Sequence, residues 1–390
     1  MISSVPSTLK AFYRPLIERL SEAGFAVTLI ASAGAELDEF ETSGRVTVHR
    51  VPITRRISLL RDLSAIVRLI RLFKSNRYDL IHTHTPKAGL VGMIAGWAAG
   101  VRARVHTLHG LPLETARGVT RRFLAAADRL TCRLAHTVCV VSKSLSDRAV
   151  ELRLCRPDKL IILGEGTACG VDLSRFERTE AVVEQARLVR RHHGIPEKAL
   201  VLGFVGWLVA DKGVRELVEA FTELARDRDD LYLLMIGADG SDRDPLPRRT
   251  LTTIKDHPHI CHAGLVPDSV PYYAAMDLCV LPTRREGFPY AVIEAAALGV
   301  ATVATRVTGC IDAVVDGRTG VLIEANNVPA LTSAIERLVS DASLRREMGE
   351  AAMRRVRASF GSDRLVKEHL RLYAATAPWQ DKGESRRIAQ

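Results

Sequence analysis

Residues 281–299 read LPTRREGFPYAVIEAAALG, and the reading of the fold starts from them. Just upstream, Leu278-Cys279-Val280-Leu281 is an apolar run short and unbroken enough to be a buried strand. Downstream, Pro289 suits the first residue of a helix, where a missing N–H has no helical partner to lose. The turn between them separates two carboxylates, Glu286 and Glu294. The backbone N–H groups of Gly287, Phe288 and Tyr290 then crowd a positive helix end, which suits a sugar phosphate or another anion. Glu294 is flanked by Ala291, Val292, Ile293, Ala295, Ala296 and Ala297, so its helix has no polar face and its carboxylate needs donors. A ribose diol would supply them. So would an arginine, with the other carboxylate merely matching the helix dipole, and the residues alone leave both readings open.

Outward from this stretch, apolar runs alternate with helical patterns. Strands are expected at Phe25–Ala31, Arg45–Val51, Asp79–Thr83, Arg104–Leu108, Thr137–Val141, Lys159–Leu163, Leu200–Val205, Leu231–Ile236 and Val300–Ala304, with an edge near Ile260, His262, Gly264 and Val266. Strand–helix alternation of this kind predicts an α/β protein with parallel doubly wound sheets. Met1–Ser4 reads as the tail of a first strand, Val5–Thr8 as a loop, and the chain to about Ala23 as a helix. Residues 57–76 are helical by period, with Arg61, Arg68, Arg71 and Lys74 set against a stripe of Leu60, Leu63, Val67, Ile70 and Phe73 expected to pack on the sheet. Gly89, Gly92, Gly96 and Gly100 mark a small-residue helix that a neighbour or ligand can approach closely. From Pro378 the chain is polar and charged, and fraying is expected there.

Ligands of open parallel sheets sit beyond the carboxyl ends of the strands, which places His84, Lys87 and His109 to meet a substrate. Without further context a single histidine is more simply a satisfied or exposed imidazole. In the second half, Gly206-Trp207-Leu208-Val209-Ala210-Asp211-Lys212-Gly213 joins a strand to a helix and looks like a diphosphate cradle, with Lys212 as a point charge. Turns of this type are common, so this motif is weak by itself.

At 390 residues the chain has room for two domains, and 47% apolar with 26% charged residues describes a globular protein. No apolar run reaches 18 residues, no signal peptide opens the chain, and seven scattered cysteines suit reduced thiols in a cytosol. No Cys/His spacing suggests a metal site. Net charge is +10, unevenly placed: through Gln185 there are 27 Lys+Arg against 18 Asp+Glu, and 28 against 27 thereafter. The basic first half suits an anionic partner such as a membrane surface or a polyprenyl phosphate. Nucleic acid is disfavoured, since aromatics make up only 5% and no recognised binding motif occurs.

The stretch 281–299, with its continuation ATVATRVTGCIDAVVDGRTGVLI at 301–323, resembles the donor-site signature of retaining family-4 glycosyltransferases of the GT-B fold, of the bacterial surface-polysaccharide type. The likeness extends over nearly the whole chain and is looser before Val101. The resemblance implies two Rossmann-like doubly wound domains facing a cleft. Residues 1–178 would bind the acceptor and 179–360 the nucleotide sugar, while 361–390 would form a helix crossing back to the first domain and a polar tail. It implies a donor site of Gly206, Lys212, Glu286, Gly287, Phe288, Pro289, Tyr290 and Glu294, in which Glu294 holds the ribose and Glu286 the sugar. An acceptor site of Ser7, Thr8, His84, Lys87 and His109 is implied as well, with Lys212, Glu286 and His109 catalytic. The implied reaction uses no metal or cofactor. It moves a hexose or N-acetylhexosamine from a UDP-sugar to a polyprenyl-diphosphate-linked saccharide, with retention, at the inner face of the cytoplasmic membrane. Two departures stand out: Trp207 replaces an expected arginine, and Cys169 an expected asparagine. A nucleotide-sugar epimerase or hydrolase, or an impaired nucleotide-sugar-binding subunit, are the rival readings.

Overall fold

The computed structural model describes residues 1–54, 58–240 and 244–376; the tail from Pro378 and the first expected residue of the basic helix, Ile57, lie outside the described residues. The chain divides into two units, Met1–Gly170 with the helix Ser362–Thr376, and Val171–Gly361.

In the first unit the apolar runs form β1 (Thr28–Ala31), β2 (Thr47–Arg50), β3 (Leu80–His84), β4 (Ala103–Leu108), β5 (Thr137–Val140) and β6 (Leu160–Ile161). All pair in parallel, β1 with β2 and β3 through β6 in sequence. Ile2 joins the two sets by bridging Ile30 on one side and Thr83 on the other. The expected first strand is therefore present as a stub in the middle of the sheet. Pro6 opens a helix, Pro6–Glu22, so Ser7 and Thr8 lie in its first turn rather than in a loop. Proline is at ease there because the missing N–H has no helical partner.

The glycines at 89, 92 and 96 lie in the helix Pro86–Ala98, and a Cβ at these positions would stand within 2.5, 2.7 and 2.3 Å of His106, Thr83 and Ile81 side chains. They let the helix lie close on β3 and β4. The basic helix, Leu59–Asn76, is rotated relative to the expected stripe. Ala65, Leu69 and Phe73 are buried, whereas Leu60 is 84% exposed and Leu63 60%. The i, i+4, i+8 series ending at Phe73 forms the seam, and Asp62, one turn earlier, is held by Lys87 of the neighbouring helix.

The second unit contains β7 (Leu200–Val205), β8 (Leu231–Ile236), β9 (Ile260–Gly264), β10 (Leu278–Leu281), β11 (Ala301–Thr305) and β12 (Gly320–Ile323), in one parallel sheet of order β12-β11-β10-β7-β8-β9. Every residue of β10 and β11 is buried, as continuous apolar runs covered on both faces require. The order reverses between β7 and β10. The loops leaving these two neighbouring strands therefore diverge at a topological switch point, where ligands of such sheets bind.

Candidate functional site

The two loops at the second unit's switch point are tied together by charge. Lys212, in a tight turn beyond β7, donates to Glu286 in the loop beyond β10. Next to it Arg285 pairs with Asp211 at 2.7 Å, and the Arg284 N–H donates to the Asp211 carbonyl at 2.9 Å. Arg284 and Arg215 both reach Glu216, which is 2% exposed, at 2.9 and 2.7 Å. Gly213 makes this closeness possible: its φ is +70°, and a Cβ there would stand 1.9 Å from the Pro282 carbonyl oxygen.

Helix Tyr290–Ala297 follows the second loop. Pro289 caps this helix instead of being its first residue, a shift of one position with the same cause, since the N–H it lacks is unpaired in either place. The Phe288 ring is buried against Phe360, centroids 5.2 Å apart, so what Phe288 offers a ligand is its backbone. Glu294 is half-buried among alanines, and its Oε2 accepts from the Tyr273 hydroxyl at 2.7 Å. Burial pushes the Glu294 carboxyl up to about 7, against the lowering effects of the Tyr273 hydrogen bond and the Arg175 charge. Gly206 follows β7 directly and donates its N–H to the Ile236 carbonyl at 2.9 Å. Trp207 is 48% exposed. The three arginines that could replace its missing guanidinium are all engaged: Arg284 and Arg285 as above, Arg306 with Asp316 at 2.5 Å.

The first unit's switch point lies at the Ile2 stub, between β1 and β3, and it is lined by histidines. His82 bonds Thr107 Oγ1 at 2.6 Å and the Tyr373 hydroxyl; His106 bonds Thr83 at 2.9 Å; His109 Nε2 lies 3.2 Å from the Tyr13 hydroxyl. His84 is fully buried, its ring centroid 4.1 Å from those of both Tyr13 and His82, and neither of its nitrogens has a partner among the described residues. In this arrangement His84 presents no polar atom to an incoming ligand, because Tyr13 covers it. His109 remains partly exposed beside Phe12. Burial lowers all of these rings, His106 to about 4, His109 to about 3, and His82 and His84 well below the ordinary value. They are neutral hydrogen-bonding groups at neutral pH. Ser7 is exposed, Thr8 half-buried, and Lys87 mostly buried on Asp62. Cys169 is buried, with its thiol pushed up to about 12 by burial and bonded to the Leu16 backbone.

Sequence reasoning missed several residues. Thr85 holds φ at +69°, a strained value for a β-branched residue, at the head of the helix Pro86–Ala98. Its hydroxyl is 2.9 Å from that of Ser4. Tyr273, Arg175 and Asp211 complete the second unit's site from segments distant in sequence. The one available signal was that a buried tyrosine hydroxyl needs a partner, which marks Tyr272 and Tyr273 equally.

Comparison with known proteins matches residues 186–355 to the glycosyl transferases group 1 family and residues 10–166 to the glycosyl transferase 4-like domain. The capsular polysaccharide biosynthesis glycosyltransferase CapM of Staphylococcus aureus is 31% identical over 360 residues, covering 92% of each chain. An Escherichia coli UDP-Gal:alpha-D-GlcNAc-diphosphoundecaprenol alpha-1,3-galactosyltransferase is 27% identical, over 83% of this chain and 82% of that protein. Among solved structures, a Rickettsia africae glycosyltransferase superposes with a TM-score of 0.79 at 20% identity, covering 96% of this chain and 97% of that one. Anabaena HepE, in complex with UDP and glucose, superposes with a TM-score of 0.78 at 19% identity, covering 96% and 99%. These likenesses fix the fold as GT-B, built from two Rossmann-like units. With CapM alike over nearly its whole length, and family models matching both units, the chain belongs to the group 1 glycosyl transferases.

Proposed function

We propose that this glycosyltransferase is a metal-independent family-4 enzyme that moves a hexosyl or N-acetylhexosaminyl group from a UDP-sugar to a polyprenyl-diphosphate-linked saccharide, with retention, in surface-polysaccharide synthesis. The observation that carries the reading is the pairing of Lys212 with Glu286 across the switch point, one helix away from Glu294. In this reading the donor re-partners both groups. Lys212 turns from Glu286 to the diphosphate, joined by the Gly287 and Phe288 amides, and Glu286 turns to the sugar hydroxyls. Glu294 keeps Tyr273 on Oε2 and offers Oε1 to the ribose. The bond from the anomeric carbon to the phosphate oxygen breaks as the acceptor oxygen attacks from the same face. The departing phosphate oxygen takes the acceptor's proton, and Lys212 stabilises the charge that develops there. His109, neutral and partly exposed, suits a hydrogen bond to the reacting sugar. The named relatives support this assignment: the name of one gives UDP-Gal and a GlcNAc-diphosphoundecaprenol as what it acts on, and the other was solved in complex with UDP and glucose.

The experiment is Glu294→Gln with binding of UDP and UDP-sugars measured by calorimetry. Replacing charge-assisted bonds by neutral ones should weaken both ligands by about 1–3 kcal/mol in a folded protein. Unchanged UDP affinity removes the ribose assignment.

Association with the inner face of the cytoplasmic membrane belongs to the same proposal. No described helix is long and apolar enough to cross a membrane. Two helices instead expose apolar side chains among arginines: Leu59, Leu60 and Leu63 near Arg61 and Arg68, and Val119 and Phe123 near Arg121 and Arg122. Such faces lie in a membrane interface, apolar side down and guanidinium groups at the phosphates. Binding to anionic vesicles should fall steeply with salt, as screening shortens to about 10 Å at 0.1 M, and Leu60→Ser with Leu63→Ser should weaken it. Equal binding to neutral and anionic vesicles counts against it.

A further inference from the structure

His109 follows the carboxyl end of β4, and two consecutive residues of the helix Pro6–Glu22 meet its ring. The Phe12 ring lies nearly parallel to it, with planes 30° apart and centroids at 6.4 Å. The Tyr13 ring meets it edge-on, at 90° and 5.8 Å. Successive side chains of a helix point about 100° apart, so Phe12 and Tyr13 hold the imidazole from two directions. Tyr13 adds a polar contact, its hydroxyl standing 3.2 Å from Nε2.

The two partners are not equally fixed. Tyr13 lies in the buried stripe of Leu9, Leu16, Ile17 and Leu20 and is 0% exposed. Three further histidines pack on its ring, with centroids at 4.1 Å for His84, 6.2 Å for His369 and 6.3 Å for His82. His82 is tied in turn to Thr107 and to the Tyr373 hydroxyl. His109, by contrast, is partly exposed on the loop after β4. The contact therefore fixes His109 against Tyr13, and not the reverse. A neutral imidazole carries its proton on one nitrogen, and the bond made at one nitrogen decides the state of the other. A phenol hydroxyl donates more strongly than it accepts, so Tyr13 places the proton of His109 on Nδ1. An unconstrained histidine in water favours the opposite tautomer.

We propose that Tyr13 is a positioning residue for glycosyl transfer: its hydroxyl donates to His109 Nε2, holds the ring in one orientation and leaves Nδ1–H as the donor for a hydroxyl of the reacting sugar. Fully buried, Tyr13 acts only through His109, so its role rests on the proposed function, in which His109 bonds that sugar.

The test uses the full chain and three variants, Tyr13→Phe, His109→Gln and the two together. Tyr13→Phe keeps the ring and its packing and removes only the hydroxyl. With the histidine nitrogens isotopically labelled, the His109 resonances are identified by their loss in His109→Gln. They should show a protonated Nδ1 in the parent chain and a shift of the proton toward Nε2 in Tyr13→Phe. Transfer is followed as UDP release from UDP-Gal with a GlcNAc-diphosphoundecaprenol acceptor, the substrates named for one relative. Tyr13→Phe should lower kcat roughly tenfold, the size of one lost hydrogen bond, and leave KM for UDP-Gal within about twofold. Added to His109→Gln it should cost nothing more, since both act through one group. An unchanged tautomer in Tyr13→Phe overturns the positioning role even if kcat falls, because the loss is then one of packing. A parent chain with its His109 proton on Nε2 overturns it without any variant. His109→Gln transferring at the parent rate overturns the use of His109 and with it the role of Tyr13. No turnover by the parent chain with these substrates counts against the donor and acceptor reading alone, and the tautomer then decides on Tyr13.

Discussion

The two switch points handle polarity in opposite ways. Beyond β7 and β10, the second unit gathers Lys212, Arg284, Arg285, Asp211, Glu216 and Glu286, and pairs each charge with an opposite one. Around the Ile2 stub, the first unit gathers His82, His84, His106 and His109 with His369 beneath, all held neutral by burial. A site of paired charges can exchange one partner for a ligand's charge at modest cost, since the desolvation has already been met. A site of buried neutral rings can orient and hydrogen-bond, but any charge placed there is penalised. The contrast is what the proposed function asks for, an anionic co-substrate on one unit and a neutral hydroxyl nucleophile on the other.

The largest expected effect of the contrast is in acid. The five histidines have folded pKa values depressed below the ordinary 6.5, so the unfolded chain binds protons that the folded unit refuses. Their contribution is fully present above pH 6.5 and is lost as pH falls toward 4, at up to about 1.4 kcal/mol per pH unit for each ring. The Met1 amine, lowered to about 5, acts in the same direction, beginning nearer pH 8. Asp128, raised to about 7 by burial, acts oppositely, but it is one group against six. Hydrogen exchange followed by mass spectrometry should show the first unit opening at a higher pH than the second, by several kcal/mol near pH 4.5. Simultaneous opening, or the second unit opening first, breaks the contrast.

Next in size is Lys212→Ala. If the lysine is the cation exchanged between Glu286 and the diphosphate, its loss removes a positioned transition-state contact worth about 3 kcal/mol, or roughly a hundredfold in donor turnover. It also leaves Glu286, 13% exposed, without its cation. Lys212→Ala with Glu286→Gln should then recover stability but not turnover, which separates the chemical role from the structural one. Recovery of turnover in the double variant would make the pair structural only.

Much of the second site was legible because its signal is local. Leu278–Leu281, the turn and the helix carrying Glu294 are consecutive, and the alanines around Glu294 show by themselves that it lacks a polar face. What could not be read depends on packing across the sheet. Tyr373, which fixes His82, lies 291 residues away from it along the chain. Arg285 and Asp211 meet only because β7 and β10 are neighbours in the sheet. The rotation of the helix Leu59–Asn76 was hidden for a related reason. Its leucines fit two overlapping stripes, and the choice is made by the small-residue helix beside it and by the Asp62–Lys87 pair. The stub at Ile2 was legible as a strand tail, but not its bonding to strands on both sides.

The smallest expected effect sharpens the comparison at Trp207. Half-exposed and beside the β7 switch strand, it supplies one N–H and no charge where the resemblance expects a guanidinium. Relocation of that charge to Arg284, Arg285 or Arg306 would require an arginine to leave Glu216, Asp211 or Asp316. The Lys212–Glu286 exchange already asks one pair to open, and a second opening would raise the cost of binding donor. On the proposed reading Lys212 alone faces the diphosphate, and Trp207→Arg should add a partly solvated charge worth about 1 kcal/mol, up to tenfold in donor turnover. Alanine at Arg284 or Arg285 should act through the loop ties, raising KM with little change in kcat. A large kcat loss from one of the three alanine variants, with Trp207→Arg neutral, would mean that an arginine does move to the diphosphate. No change in any of the four variants would put Trp207 away from the diphosphate altogether and confine the donor's contacts to the Lys212–Glu286 side of the switch.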